Sequence, residues 1–211
     1  MIQSILDKAL SGKRLIFEDG VRLFQSHNLL LLGQVADVIR QRMHPEGYVT
    51  YIIDRNINYT NICSSRCKFC AFYRHESDQD AYVLSKEELG QKIQEAIDLG
   101  GTLILMQGGL HPRLKLDWYE GLLRWIKANY KIHIHAFSPP EIDFFAKLNK
   151  IPVREVILRL KEAGLDSIPG GGAEILTDRS RQLISPRKCT TDEWLEVMRQ
   201  AHHVGMRTTA T

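Results

Sequence analysis

At 211 residues, with 44% hydrophobic and 25% charged side chains, the chain has the ordinary makeup of a globular protein and enough length to bury one good core. A net charge of +3, spread along the sequence without a basic stripe, argues against a nucleic-acid partner. The longest aliphatic run, residues 29–32, is far too short to span a bilayer, and the N-terminus, with Asp7 and Lys8 in an amphipathic pattern, does not read as a signal peptide, so the expected setting is cytoplasmic, with no membrane partner.

Residues 1–45 read as a helical extension. Ile2, Ile5, Leu6, Ala9 and Leu10 mark one amphipathic segment, and residues 29–42 a second that closes near His44-Pro45. From Val49 the pattern changes to alternating strands and helices, so residues 46–211 form the core. Val49, Tyr51 and Ile53 begin a first strand. Residues 102–107, 132–137, a short 166–168, and the stretch from Met206 onward supply four more. Ser85-Lys86-Glu87-Glu88 is a capping box, with Leu84 and Leu89 as its hydrophobic staple; Leu89, Ile93 and Ile97 follow at helical spacing, and Gly100 stops the run. A further helix spans 153–163 and ends at Gly164. Another starts at Thr190-Thr191-Asp192-Glu193, carries Trp194, Val197, Met198 and Ala201 on one face, and ends at Gly205.

Each of these helices stops at a glycine, and a strand follows within about three residues, as in α/β units. The fold class predicted is therefore α/β, a partial TIM-type (β/α) barrel behind an N-terminal helical segment. Strand parity directs Ile132, Ile134 and Ala136 toward the helices and His133, His135 and Phe137 into a polar lumen. Only five strands can be counted, and the last runs into the end of the sequence, which is the expectation for a C-terminally truncated barrel.

Three of the four cysteines lie within eight residues, Cys63-Ser64-Ser65-Arg66-Cys67-Lys68-Phe69-Cys70, a C-x3-C-x2-C run. Three thiolates on one short loop can hold three irons of a cubane cluster and leave the fourth open to a substrate, whereas electron-transfer clusters usually have four protein ligands. Phe69, Phe72 and Tyr73 can exclude water there, and Arg66, Lys68 and Arg74 put positive charge beside an anionic cluster. A zinc site would need a fourth ligand and a second ligand pair; His75 is near but the spacing is absent. Free thiols and a partial zinc site in a non-catalytic module stay open as alternatives. Cys189 reads as an ordinary free thiol, and four cysteines make no disulfide framework.

The C-x3-C-x2-C run is the signature of radical S-adenosylmethionine (SAM) enzymes. The wider text is more specific: Asn58-Tyr59-Thr60-Asn61-Ile62-Cys63, Cys70-Ala71-Phe72-Tyr73-Arg74, Met106-Gln107-Gly108-Gly109-Leu110-His111-Pro112, His135-Ala136-Phe137-Ser138-Pro139 and Ile168-Pro169-Gly170-Gly171-Gly172-Ala173-Glu174. In that order these segments resemble the dehypoxanthine futalosine cyclases of the futalosine route to menaquinone, from about residue 17 to 211, with the aminofutalosine synthases and deazaflavin-precursor synthases as close relatives. The resemblance implies a [4Fe–4S] cluster on Cys63, Cys67 and Cys70, SAM on its open iron, and a one-electron reductant such as a flavodoxin or ferredoxin. It implies that a deoxyadenosyl radical takes the C4′ hydrogen of dehypoxanthine futalosine, after which ring closure onto the aromatic group and loss of an electron and a proton give the spirocyclic product. By the same resemblance Phe69, Gly108, Gly109 and Glu174 contact the cofactor, with glycine at 108 and 109 for close backbone approach. His135 and Glu174 are the candidate catalytic bases, and Arg159 is a weaker candidate for holding an anionic group.

Overall fold

The computed structural model describes residues 2–210 and separates into two compact units, the first ending at Tyr51 and the second beginning at Ile52. The first unit holds helices α1 (Gln3–Leu10), α2 (Phe17–Phe24) and α3 (Leu29–Met43). Periodicity located α1 and α3 but not α2. No Ser or Thr caps α2; instead the Asp19 carboxylate accepts the Ile16 N–H at 3.1 Å and pairs with Lys8 at 2.6 Å.

The second unit runs β1 (Asp54–Asn58), α4 (Lys86–Asp98), β2 (Leu103–Gln107), α5 (Leu116–Asn129), β3 (His133–Ala136), α6 (Pro139–Asn149), α7 (Val153–Ala163), β4 (Ser167–Ile168), α8 (Asp178–Ile184), α9 (Thr191–His203) and β5 (Arg207–Thr208). Among the described residues the five strands are all parallel and lie in sequence order, an open arc of a β/α barrel. The capping boxes at Ser85/Glu88 and Thr190/Glu193 form as expected, with Ser85 Oγ accepting the Glu88 N–H at 3.1 Å and Thr190 Oγ1 accepting the Glu193 N–H at 3.2 Å.

The first strand begins later than its alternation suggested. Val49 and Tyr51 are exposed and outside the sheet, and Thr102 N–H to Ile53 O (3.2 Å) is the first link to β2. Because β2 opens only at Leu103, its pairing with β1 begins at Asp54, and among the described residues no strand pairs with residues 49–52.

Parity decides what each sheet face meets. Ile57, Ile104, Met106, Ile134, Ala136 and Ile168 are essentially inaccessible and pack on the inner faces of the helices, against Leu89 and Ile93 of α4, Leu123 and Ile126 of α5, Val156 and Leu160 of α7 and Val197 of α9. Each such aliphatic contributes about 1.5–3 kcal/mol by leaving water. The opposite, concave face presents Asn56, Asn58, Gln107, His133, His135 and Ser167 together with Leu103 and Leu105, so it is mostly polar, as the sequence reading expected, with two leucines among the polar groups.

Phe137 departs from that reading. It follows β3 with φ 61, a left-handed conformation uncommon for a bulky residue. The reversal turns its ring away from the lumen and into the helix layer, with ring centroids 5.6 Å from Tyr119, 5.5 Å from Phe145 and 5.9 Å from Tyr59. Aromatic packing of about 0.5–1.5 kcal/mol per edge-on pair offsets the backbone strain.

Candidate active site

At the C-terminal ends of β1, β2 and β3 the loops enclose a cavity of about 330 Å³, in the range of small-molecule sites. Cys63, Cys67, Phe69 and Cys70 line one wall. Asn58, Gln107, Gly108 and Gly109 come from the strand ends, and Glu141, Gly172, Glu174 and Lys188 close the other side.

The cysteine loop is held at both ends by backbone bonds. Cys63 N–H donates to Arg74 O (3.1 Å), Arg74 N–H to Asn61 O (2.8 Å), and Ser64 N–H to Leu110 O (3.0 Å). Arg66 takes φ 51 and turns the chain so that Cys67 is buried while Cys63 and Cys70 remain partly open. Burial pushes the Cys63 thiol up, opposed by hydrogen bonds from the Leu110, Ser65 and Arg66 backbone N–H groups. Ser65 Oγ lies 3.3 Å from Cys67 Sγ. Donors of this kind around sulfur are what tune an iron–sulfur centre.

Among the described residues no three side chains of His, Cys, Asp or Glu gather tightly enough for one metal ion. A cubane does not ask for that convergence, because each thiolate meets a different iron. Three thiols lining one cavity, with the Ser65 hydroxyl beside the Cys67 sulfur, fit a cluster with one open corner.

The glycine pair has a reason beyond the cavity. A Cβ on Gly108 would stand 2.5–2.7 Å from the Tyr59 ring, and one on Gly109 2.2 Å from Ile62 O and 2.9 Å from Cys63 Cβ. Glycine here lets β2 close against the root of the cysteine loop. Gly171 is likewise pressed on Gln107, with 2.5 Å from a Cβ to Nε2.

Other expected residues divide. Glu174 lines the cavity with φ 52, and its Oε1 accepts from Lys188 Nζ at 2.8 Å; that ammonium also stands 5.4 Å over the Phe69 ring. His135 is on the concave face but one layer deeper, level with Asn56, its Nδ1 2.7 Å from Ser167 Oγ and its Nε2 3.3 Å from Thr209 Oγ1. Burial holds its imidazole below the usual range, helped by the neighbouring His133. Arg159 is not at the site: on the outer helices it pairs with Asp117 at 2.7 Å and Glu120 at 2.5 Å. Arg74 is occupied by Asp80 at 2.6 Å and by the Ala71 and Tyr73 carbonyls, so it braces the loop. Cys189 is buried away from the cavity wall, its thiol pushed up to about 11, mainly by burial.

Sequence reasoning missed Glu141, Lys188 and Arg181. Ser138-Pro139-Pro140-Glu141 is itself a capping box with proline at the helix start, a signal that could have revealed α6 and its glutamate. Arg181, on α8, is buried and donates to the carbonyls of Ala173 (2.6 Å), Cys189 (2.7 Å) and Gly172 (3.3 Å). Ile184 at the end of the same helix accepts the Lys68 N–H at 2.8 Å. One short helix thus ties the glycine loop to the cysteine loop, a link with no local sequence signal.

Comparison with known proteins agrees with this geometry. The chain is 47% identical over its whole length to "Cyclic dehypoxanthine futalosine synthase" of Halalkalibacterium halodurans, covering 57% of that protein, and 41% identical over its whole length to "5-amino-6-(D-ribitylamino)uracil--L-tyrosine 4-hydroxyphenyl transferase" of Trichormus variabilis, covering 56%. It therefore spans a little over half the length of these relatives. In fold it is similar to methylornithine synthase (PylB), with a TM-score of 0.65 and 15% identity over 96% of this chain and 57% of that one. It is also similar to HydG, a maturase of the [FeFe]-hydrogenase, with a TM-score of 0.70 and 18% identity over 97% of this chain and 44% of that one. No helix among the described residues is long and apolar enough to cross a membrane. The model of the Radical SAM superfamily, enzymes that use a [4Fe–4S] cluster and SAM, matches residues 57–211, and the chain belongs to that superfamily.

Proposed function

We propose that the protein carrying this chain is a radical SAM cyclase that converts dehypoxanthine futalosine to cyclic dehypoxanthine futalosine. The observation that carries the reading is the single cavity onto which the three thiols, the glycine pair and the β4 loop with Glu174 all open. The whole-chain identity of 47% to a cyclic dehypoxanthine futalosine synthase supports this substrate over the relatives at 41%.

Cys63, Cys67 and Cys70 would hold the cluster, and Phe69 would shelter its flank. When bound, the reduced cluster and SAM supply the deoxyadenosyl radical that removes a hydrogen atom from the sugar C4′. The protein's own part is placement and shielding. Asn56, Asn58 and Gln107 present amide groups suited to sugar hydroxyls, and Lys188 is the cation facing the cavity for an anionic group. Ring closure would join C4′ to the aromatic carbon, and rearomatisation would release one proton and one electron, for which the cluster left oxidised by SAM cleavage would be the one-electron acceptor. Glu174 is the cavity-lining candidate to accept that proton, and His135 the deeper one.

The 41% identity to the 4-hydroxyphenyl transferases favours a second reading, a deazaflavin-precursor-type transfer on the same scaffold. Product mass separates them. Anaerobically reconstituted protein is incubated with SAM, a reductant and dehypoxanthine futalosine. The cyclase reading expects deoxyadenosine and a product two hydrogens lighter than the substrate; deoxyadenosine formation without that product, or only with tyrosine and the ribityl-uracil acceptor, refutes it.

A further inference from the structure

The most fully committed polar group near the cavity is one the mechanism above does not use. Glu141, in the first turn of α6, is buried, yet its carboxylate lines the inner wall of the cavity. Its Oε1 accepts from the Tyr59 hydroxyl at 2.7 Å and the Gly108 N–H at 3.0 Å; its Oε2 accepts from the Ser138 N–H at 2.8 Å and the Ser138 hydroxyl at 2.6 Å. These four donors come from the ends of β1, β2 and β3. An ordinary helix cap needs only the Ser138 half of this arrangement. The other half reaches across two strands to the glycine pair.

We infer that Glu141 is a positioning residue of the SAM-binding cavity, its carboxylate fixing the Gly108-Gly109-Leu110 backbone against the cysteine loop. The chain of contact is short. Gly108 is held by Oε1. Gly109 donates to Thr60 O at 2.9 Å and lies on Ile62 O and Cys63 Cβ so closely that no Cβ fits. Leu110 O accepts from both the N–H and the hydroxyl of Ser64, each at 3.0 Å, which ties the strand end to the residue beside Cys63. A shift at Gly108 is therefore delivered to Cys63 and to the cavity wall formed by Gly108 and Gly109.

The donor set also explains why a carboxylate is needed. Gly108 N–H and Ser138 N–H face different oxygens, and neither backbone group can accept. A glutamine would turn its NH2 toward one of them and leave that N–H opposed by a donor, whichever way the amide points. Aspartate would fall one methylene short.

This inference rests on the radical SAM reading of the cavity. The test compares Glu141→Gln with wild type and with Val156→Ala, a core change on α7, none of whose residues lines the cavity, that lowers stability by loss of packing. Three quantities are read on anaerobically reconstituted protein: SAM affinity by calorimetry, the EPR signal of the reduced cluster with and without SAM, and thermal stability. Glu141→Gln is expected to weaken SAM binding by about tenfold or more, since small displacements of positioned groups carry large losses, and to alter the SAM-induced EPR change. Val156→Ala is expected to leave both as in wild type. Wild-type SAM affinity and EPR response in Glu141→Gln, or equal losses in Val156→Ala, overturn the assignment. Should Glu141→Gln not fold, Tyr59→Phe keeps the ring and removes one donor from Oε1; it is expected to weaken SAM binding a fewfold, and unchanged binding overturns the assignment. A wild-type protein that takes up no cluster takes down the superfamily reading of the cavity as well; a loaded wild type with an indifferent Glu141→Gln removes the positioning role alone.

Discussion

Gly109→Ala adds one methyl group at the tightest point of the site. Its Cβ would stand 2.2 Å from Ile62 O and 2.9 Å from Cys63 Cβ. The closest ordinary carbon–oxygen approach is about 3.3 Å, so backbone must yield by roughly 1 Å. The atoms met are backbone and Cβ, which cannot rotate away. Overpacking of this sort costs about 1–3 kcal/mol, which in a protein of this size lowers Tm by about 2–12 °C. The same displacement pushes on Cys63 Cβ and moves the cysteine loop, so iron content should fall and the rate of SAM cleavage should drop by on the order of 100-fold. Gly121→Ala is the internal control: the identical change on α5 meets nothing within 4 Å and trades a poor helix former for a good one. It should be neutral or stabilise by up to about 1 kcal/mol. Differential scanning calorimetry and iron content on both variants read the comparison. Gly109→Ala with wild-type Tm and iron would refute the claim that β2 is wedged against the cysteine loop.

Arg181→Met should cost about 1–3 kcal/mol, because it leaves the Ala173 and Cys189 carbonyls without donors, and should speed hydrogen exchange at residues 170–174; unchanged exchange there would show that α8 does not hold the glycine loop. Cys189→Ala should leave iron content at the wild-type level, whereas Cys63→Ala, Cys67→Ala or Cys70→Ala should each lower it severely; iron loss in Cys189→Ala would place a fourth thiolate at the cluster. Stability should fall as pH drops below about 6.5. Burial is the first cause that holds both His111 and His135 below the usual imidazole range, so the unfolded chain binds protons before the folded one does. Their contribution is complete above the unfolded pKa and is lost as pH falls toward the folded values. His111→Asn should flatten part of that slope between pH 7.5 and 5.5 in urea titrations; a slope identical to wild type would remove His111 from the explanation.

Much of the β/α core was legible because its signals are local. Ser85/Glu88 and Thr190/Glu193 announce helix starts, and Ile134 and Ala136 against His133 and His135 announce which face meets the helices. The three cysteines announce their own chemistry by spacing. What stayed hidden depends on long-range contact. Phe137 reads as lumen by parity, and only the left-handed backbone at that position sends it into the cluster of Tyr59, Tyr119 and Phe145. Val49 and Tyr51 alternate like a strand, but a strand needs a neighbour, and β2 begins too late to supply one. Arg159 looked free to meet an anion until Asp117 and Glu120, about forty residues away, claimed it. Glu141 carries a capping-box signal that the sequence reading passed over, and its second pair of bonds, to Tyr59 and Gly108, comes from strands that only the folded sheet brings alongside.

The most direct test of the account is the iron and acid-labile sulfide content of anaerobically purified, reconstituted protein. Cys63, Cys67 and Cys70 as ligands of one cubane predict about four irons and about four sulfides per chain, with a low-field EPR change on adding SAM to the reduced protein. One zinc per chain with neither iron nor sulfide would contradict it, and with it the chemistry assigned to the cavity.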